Sequence, residues 1–182
     1  MTEVKRRLSE KVTEAAYLDA IQDRSLDDIK VMRDESREVE NEVSFERRLC
    51  QARLDILSAE LDRRAGKGEG DLLSRLPQIL ADPAKEGASG DASLPSRRPD
   101  FSAPRSADVP RRRVEEIVGE QSLARLMDMS DDEIRSSMEG LAAHEKNLST
   151  TRKRVHEVLD VIQAEIIRRY TSGETDAEGM LT

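Results

Sequence analysis

Hydrophobic residues recur at helical spacing in two long stretches, residues 25–65 and 130–170. On a helix that turns about 100° per residue they form one narrow strip in each stretch, which we call the seam. The first seam contains Val39, Val43, Cys50, Leu54, Leu57 and Leu61. The second contains Leu141, Leu148, Val155, Leu159, Ile162 and Ile166. Two seams of this kind predict an all-α fold in which two long helices pack as an antiparallel coiled-coil hairpin.

A row of mixed polar residues runs beside each seam, and we call it the polar stripe. The first stripe is Glu40, Ser44, Arg47, Gln51 and Asp55. The second stripe is Glu145, Ser149, Arg152, His156 and Asp160. The spacings are the same in both, and they place each set within an arc of roughly 80° on one helix face. We expect the packed helices to bring the two stripes to a common groove.

The two stretches are copies of each other. A shift of 105 positions lays residues 25–64 over residues 130–169 without a gap, and twelve of the forty positions are identical. Composition alone would give roughly three or four identities. The chain is therefore an internal duplication of one long helix, with His156 in the second copy standing where the first has Gln51.

The boundaries follow from capping residues and composition. Ser25, with Asp28, and Ser130, with the acidic residues after it, predict the starts of the long helices, and Gly140 is expected to soften the second. Residues 1–24 form a leader, for which a short helix is the alternative to a frayed segment. The remaining predictions are a mostly disordered linker at 66–129, short helices near 71–82 and 114–127, and a disordered tail at 171–182.

Composition narrows the functional classes. Of 182 residues, 37% are charged and 36% hydrophobic, and there is no Trp, which suits paired helices better than a thick globular core. The net charge of −8 argues against general binding to nucleic acid. Cys50 lies on the seam, where a buried apolar role is expected. No apolar run suits a membrane span or a signal peptide, so we expect a cytoplasmic protein without a membrane partner.

The polar stripes admit two interpretations. A solvent-facing strip on a ligand-independent coiled-coil adaptor is the simpler one. However, Ser and Asp are indifferent helix formers, and their repetition in both copies asks for another reason. Arg presents a fork of donors to the O6 and N7 edge of guanine or to phosphate, and carboxylates accept from guanine N1–H and its amine. The residues thus suit a guanine nucleotide, although periodicity alone does not name it.

The doubled pattern E-x3-S-x2-R-x3-Q-x3-D on long helices resembles the RsiG family of actinobacterial anti-sigma factors. The second copy departs from that pattern at His156. The resemblance implies an antiparallel coiled coil that binds cyclic di-GMP through the ten stripe residues, as a partially intercalated dimer. It also implies that the liganded protein, as a monomer in a 1:1 complex, sequesters the sporulation sigma factor WhiG from RNA polymerase.

A second apolar face on the first helix predicts where a partner binds. Phe45, Leu49, Ala52 and Ile56 lie well away from the seam, whereas the corresponding residues of the second copy are mostly polar. We hypothesise that a sigma factor docks on this face, and the helix predicted in the linker is the alternative occupant.

Enzyme signatures are missing from the sequence. It contains no Gly-rich phosphate loop, no nucleophile elbow, no HExxH, and neither the EAL nor the GGDEF signature of cyclic di-GMP enzymes. The two His residues lack a metal-ligand pattern, and His144 aligns with Val39, where it is expected to be a helical filler. We therefore expect no catalytic residue, no metal and no cofactor other than the regulatory ligand.

Overall fold

The computed structural model describes residues 8–66, 103–104, 106–119 and 124–173. Its helices are α1 (Leu8–Thr13), α2 (Leu26–Arg64), α3 (Asp108–Val118) and α4 (Asp131–Ser172), with 3-10 turns at Ala15–Leu18 and Ile21–Asp23. No strand occurs in these ranges, and the all-α class is confirmed. The helix expected near 71–82, most of the predicted linker and the tail after residue 173 lie outside the described residues.

Serine residues cap both long helices, as predicted. The backbone N–H of Asp28 donates to Ser25 Oγ over 3.1 Å, and that of Glu133 donates to Ser130 Oγ over 3.3 Å. The Glu133 carboxylate in turn accepts from the Ser130 backbone N–H over 2.7 Å, which completes a capping box. These bonds satisfy amides that have no partner inside the helix.

The chain divides into two compact units, each of which takes part of both long helices. Unit 1 comprises Met1–Val43 and Ser149–Thr182, and unit 2 comprises Ser44–Leu148. In unit 1, Arg169 contacts the segment before α2, and Arg152 contacts Glu40 further along α2. Residue numbers therefore rise along one helix where they fall along the other, which is the order of an antiparallel pair. Unit 2 shows the same order, so the predicted antiparallel pairing holds within each unit.

The predicted seams form the core of each unit. In unit 1 the exposed fractions of Val155 and Ile162 are 0%, and Val39, Val43, Leu159 and Ile166 are also buried. In unit 2 Cys50, Leu57, Leu141 and Leu148 are buried, whereas Leu54 and Leu61 are half-buried. Burial of these side chains supplies the main favourable free energy of helix pairing.

The leader is folded onto unit 1 from residue 8 onward, so the interpretation as a frayed segment is wrong for this part. Val12 is fully buried, and Tyr17 is 7% exposed. The Tyr17 hydroxyl lies 3.0 Å from the Met32 carbonyl oxygen and 2.9 Å from Glu35 Oε2, while Lys11 Nζ pairs with Glu35 over 2.7 Å. These few anchored side chains hold a segment whose helical periodicity is weak.

The linker helix begins earlier than predicted. It spans Asp108–Val118 instead of 114–127, and residues 124–128 form a turn. Pro110 is compatible with this start because the first-turn amides of a helix lack partners anyway, and Gly119, at φ 85°, stands just after the helix end. Gly140 does not interrupt α4. A Cβ there would lie 3.0 Å from Ile117 of α3, so this glycine gives α3 room to approach.

A cluster of one glutamate and two arginines ends each long helix, and we call it the clasp. In unit 1 the buried Glu165 accepts bonds from Arg168 and Arg169 at 2.7 to 2.9 Å. Arg169 also donates to the carbonyl oxygens of Arg24, Ile21 and Gln22 over 2.7, 3.1 and 3.0 Å. The clasp therefore ties the end of α4 to the segment that precedes α2.

Unit 2 repeats the clasp at positions 105 residues earlier. Buried Glu60 accepts bonds from Arg63 and Arg64, and Arg64 donates to the carbonyl oxygens of Leu126 and Met129 over 2.9 and 2.6 Å. The hydrogen bonds from Arg63 lower the pKa of Glu60 to about 2. Those from Arg168 lower the pKa of Glu165 in unit 1 to about 2 as well. Satisfied charge pairs of this kind fix the helix register, because separating one partner would leave a buried charge.

We predict that Glu165→Gln flattens the acid dependence of stability. A carboxyl whose pKa falls from 4.5 to about 2 on folding contributes stability above about pH 4.5, and this contribution is lost as the pH falls through 2. Urea unfolding at several pH values should show the variant about 2 kcal/mol less stable at neutral pH, with a smaller decline toward about pH 3. The exposed Glu157→Gln on the same helix is the control, and identical pH profiles for the two variants would contradict the role of the clasp.

We also predict that Cys50 is chemically inert in the native protein. Its side chain is fully buried, and this burial raises the pKa of the thiol to about 12, so the reactive thiolate is scarce near neutral pH. Native protein should react with a thiol reagent only at the rate of unfolding, and denatured protein at once. Rapid modification of the folded chain would show that the seam opens at this position.

Candidate ligand-binding site

The fold divides the ten stripe residues into two mixed sets, each with members from both copies. Half-site 1, in unit 1, consists of Glu40 from α2 and Ser149, Arg152, His156 and Asp160 from α4. Half-site 2, in unit 2, consists of Glu145 from α4 and Ser44, Arg47, Gln51 and Asp55 from α2. The mixing follows from antiparallel pairing, which places the start of one stripe beside the middle of the other.

Each half-site contains an arginine–glutamate pair between the two helices. In half-site 2, Arg47 Nη1 lies 3.2 Å from Glu145 Oε1, and both side chains are about one quarter exposed, at 25% and 23%. In half-site 1, Arg152 Nε lies 3.4 Å from Glu40 Oε1, with exposed fractions of 38% and 18%. Partly exposed pairs at these distances contribute less than about 1 kcal/mol, so a ligand can replace them at little cost.

His156 adds a third group to half-site 1. Its Nε2 lies 3.3 Å from the same Glu40 oxygen that faces Arg152. That nitrogen is shielded from solvent and makes no hydrogen bond of good geometry, although the side chain as a whole is 33% exposed. The contact is therefore close but not satisfied, and it becomes favourable only when Nε2 carries a proton.

The other stripe residues extend each half-site along the helices. Ser44, Gln51 and Ser149 are half-buried, whereas Asp55 and Asp160 are exposed at the far end of their stripes. Each half-site thus offers hydroxyl and carboxylate groups beside the arginine–glutamate pair, with the aspartates most open to water.

Sequence reasoning missed two arginines that extend the first stripe toward the start of α2. Arg33 and Arg37 precede Glu40 by seven and three residues, which places them on the same helix face. Both lie near Asp34, at 3.0 and 4.0 Å respectively. The second copy has Met138 and Ala142 at these positions, so half-site 1 has a more basic border than half-site 2.

A cluster around the buried carboxylate of Glu46 in unit 2 was also missed. Glu46 is 1% exposed, and its carboxylate lies 2.8 Å from Arg113 Nη1 of α3 and 2.7 Å from His144 Nε2 of α4. The interpretation of His144 as a helical filler is therefore wrong, because it is a polar partner of Glu46. Thr151 replaces Glu46 in the second copy, so comparison of the copies gave no signal for this cluster.

The proposed partner face is less open than its apolar pattern suggests. Phe45, Leu49, Ala52 and Ile56 are all half-buried. Helix α3 lies nearby in the same unit, since Arg113 pairs with Glu46, and both Glu115 and Arg111 act electrostatically on Arg53. The prediction that this face binds a partner stays a prediction, with α3 close to its edge.

Neither a metal-ligand cluster nor a membrane-spanning helix occurs among the described residues. Within these ranges no group of His, Cys, Asp and Glu side chains could hold a metal ion. None of the helices in the same ranges is long and apolar enough to cross a membrane.

A comparison with models of protein families identifies the family of this chain. The model of the RsiG-like family matches residues 15–80 and 120–181, which is more than half of the chain. The chain belongs to the RsiG-like family. The two matched segments begin 105 residues apart, the same shift that aligns the duplicated helices. Membership indicates an anti-sigma role and implies a sigma factor as the partner. No curated protein matches the chain.

Proposed function

We propose that the chain is an anti-sigma factor that binds cyclic di-GMP at its two half-sites and, when liganded, sequesters a WhiG-type sigma factor from RNA polymerase. It would act as a monomer in a 1:1 complex, without catalysis, and control sporulation genes. The observation that supports this proposal best is the composition of the half-sites. Both contain an arginine and a glutamate from different copies, held by a weak contact.

The chemistry of a half-site fits the two faces of a guanine nucleotide. The carboxylate of Glu40 or Glu145 can accept from guanine N1–H and the exocyclic amine, which no other common base presents in this arrangement. The guanidinium of Arg152 or Arg47 can then turn from its glutamate to the O6 and N7 edge or to a phosphate. Each member of the ligand-free arginine–glutamate pair would thus exchange a weak contact for a better partner on the ligand.

Ligand binding of this kind would couple to the pairing of the helices. Each half-site takes its glutamate from one long helix and its arginine from the other, so a ligand that contacts both stabilises the paired state. A sigma factor that recognises the paired helices would then bind more tightly to the liganded protein. The size of the effect equals the difference in ligand affinity between the paired and loosened states.

The rival function is a ligand-independent adaptor, in which the arginine–glutamate pairs only connect the helices. The two functions differ in what they require of Arg47 and Arg152. An adaptor would lose less than about 1 kcal/mol when either pair is removed, because both pairs are partly exposed. A ligand site would lose a charge-assisted contact to the nucleotide.

Calorimetric titration with cyclic di-GMP distinguishes the two functions. We expect saturable binding to the native chain, at least about tenfold weaker binding to Arg47→Ala and to Arg152→Ala, and no comparable binding of GTP. The control is Arg154→Ala, which removes an exposed arginine of α4 outside the stripe. Unaltered binding by both stripe variants, or absence of binding with and without the sigma factor, would favour the adaptor.

The partner face leads to a separate prediction. Replacing Phe45 and Leu49 with Asp should abolish capture of the sigma factor, because two charges would be buried in the contact. The same replacement with Asp at Thr150 and Arg154, the exposed equivalents in the second copy, should leave capture intact. Co-purification with the sigma factor measures capture, and circular dichroism checks that both double variants stay helical. Retained capture by a helical Phe45/Leu49 variant would exclude this face.

A further inference from the structure

The two half-sites differ at one position in a way that changes their chemistry. Gln51 in half-site 2 has an amide that offers a donor and an acceptor at every pH. His156, its equivalent in half-site 1, has a ring that offers one donor when neutral and two when protonated. Imidazole is also the side chain that normally gains its proton near physiological pH.

The position of His156 makes its protonation state important. Its Nε2 faces the Glu40 carboxylate at 3.3 Å, so the close approach is favourable only if that nitrogen bears the proton. A neutral ring that donates from Nε2 has a lone pair on Nδ1. Wherever a phosphate or guanine oxygen of the ligand approaches Nδ1, that lone pair would set one acceptor against another. A protonated ring donates from both nitrogens and satisfies carboxylate and ligand together.

We propose that half-site 1 takes up a proton on His156 when it binds its anionic guanine ligand, whereas half-site 2 binds without proton uptake. This inference rests on the proposed function, since it concerns the same ligand. Ligand affinity then rises as the pH falls through the range in which imidazole titrates, and only one of the two half-sites contributes to this rise.

The charges around His156 allow the ring to take up a proton when an anion binds. Glu40 and, by helical spacing, Arg37 face it from α2, and Arg152, Lys153 and Asp160 lie one turn away on α4. These three positive and two negative groups leave about one net positive charge, which the ligand's phosphates would more than offset. A bound anion favours the imidazolium, and by linkage the imidazolium favours the anion.

The test is calorimetric titration of the full chain with cyclic di-GMP at about pH 6 and about pH 8, at constant ionic strength. Repeating it in buffers of different ionisation enthalpy counts the protons taken up. For the native chain we expect affinity about tenfold higher at the lower pH, with proton uptake. His156→Gln should remove the pH dependence and the proton uptake, because half-site 1 would then resemble half-site 2. Gln51→His should increase both.

The other histidine provides the control. His144 lies against Glu46 and outside both half-sites, so His144→Gln, which keeps a donor for Glu46, should retain the native pH dependence. Equal pH dependence in the native chain and His156→Gln, or its loss in His144→Gln alone, would overturn the inference while the proposed function stands. Absence of binding at both pH values, with and without the sigma factor, would overturn the proposed function and the inference with it.

Discussion

The antiparallel register of the two long helices is the constraint on which the other features depend. Seam burial pulls the helices together, but apolar surfaces alone tolerate sliding by a turn. The clasps remove that freedom, since Arg64 and Arg169 each bind backbone carbonyls in the segment that precedes the opposite helix. With the register fixed in each unit, Glu40 lies beside Arg152 and Glu145 beside Arg47. A slip of one turn would separate both pairs and dissolve both half-sites.

The strong polar contacts of the clasps and the weak ones of the half-sites serve different functions along the same helices. The clasp glutamates are buried, accept several short bonds and have a depressed pKa, which suits permanent contacts that hold the register. The half-site pairs are longer and partly exposed, which suits contacts that open for a ligand. The proposed function would need both kinds, because the ligand must exchange while the helices stay paired. In this account the ligand adds to helix pairing where the protein's own contacts are weakest.

Much of the scaffold could be predicted from sequence because it rests on periodicity. The seams, the caps at Ser25 and Ser130 and the stripe residues all follow from helical spacing and from comparison of the two copies. The leader could be predicted only as an alternative, a short helix, because Val12 and Tyr17 are held by tertiary contacts and show only weak helical periodicity. The clasp residues are identical in the two copies, so the sequence comparison finds them. Their role could not be predicted, because the backbone carbonyls that they bind lie in segments without a recognisable motif. Glu46 has no counterpart in the second copy, so its cluster was invisible to that comparison.

The central claim is that ligand binding controls partner capture, and sedimentation velocity tests it most directly. The chain would be mixed with a WhiG-type sigma factor, with and without saturating cyclic di-GMP, and the fraction sedimenting as a 1:1 complex would be measured. The account predicts a complex that forms with the ligand and dissociates when the ligand is removed. Equal complex formation in both conditions would contradict it and would identify the chain as a ligand-independent anti-sigma factor.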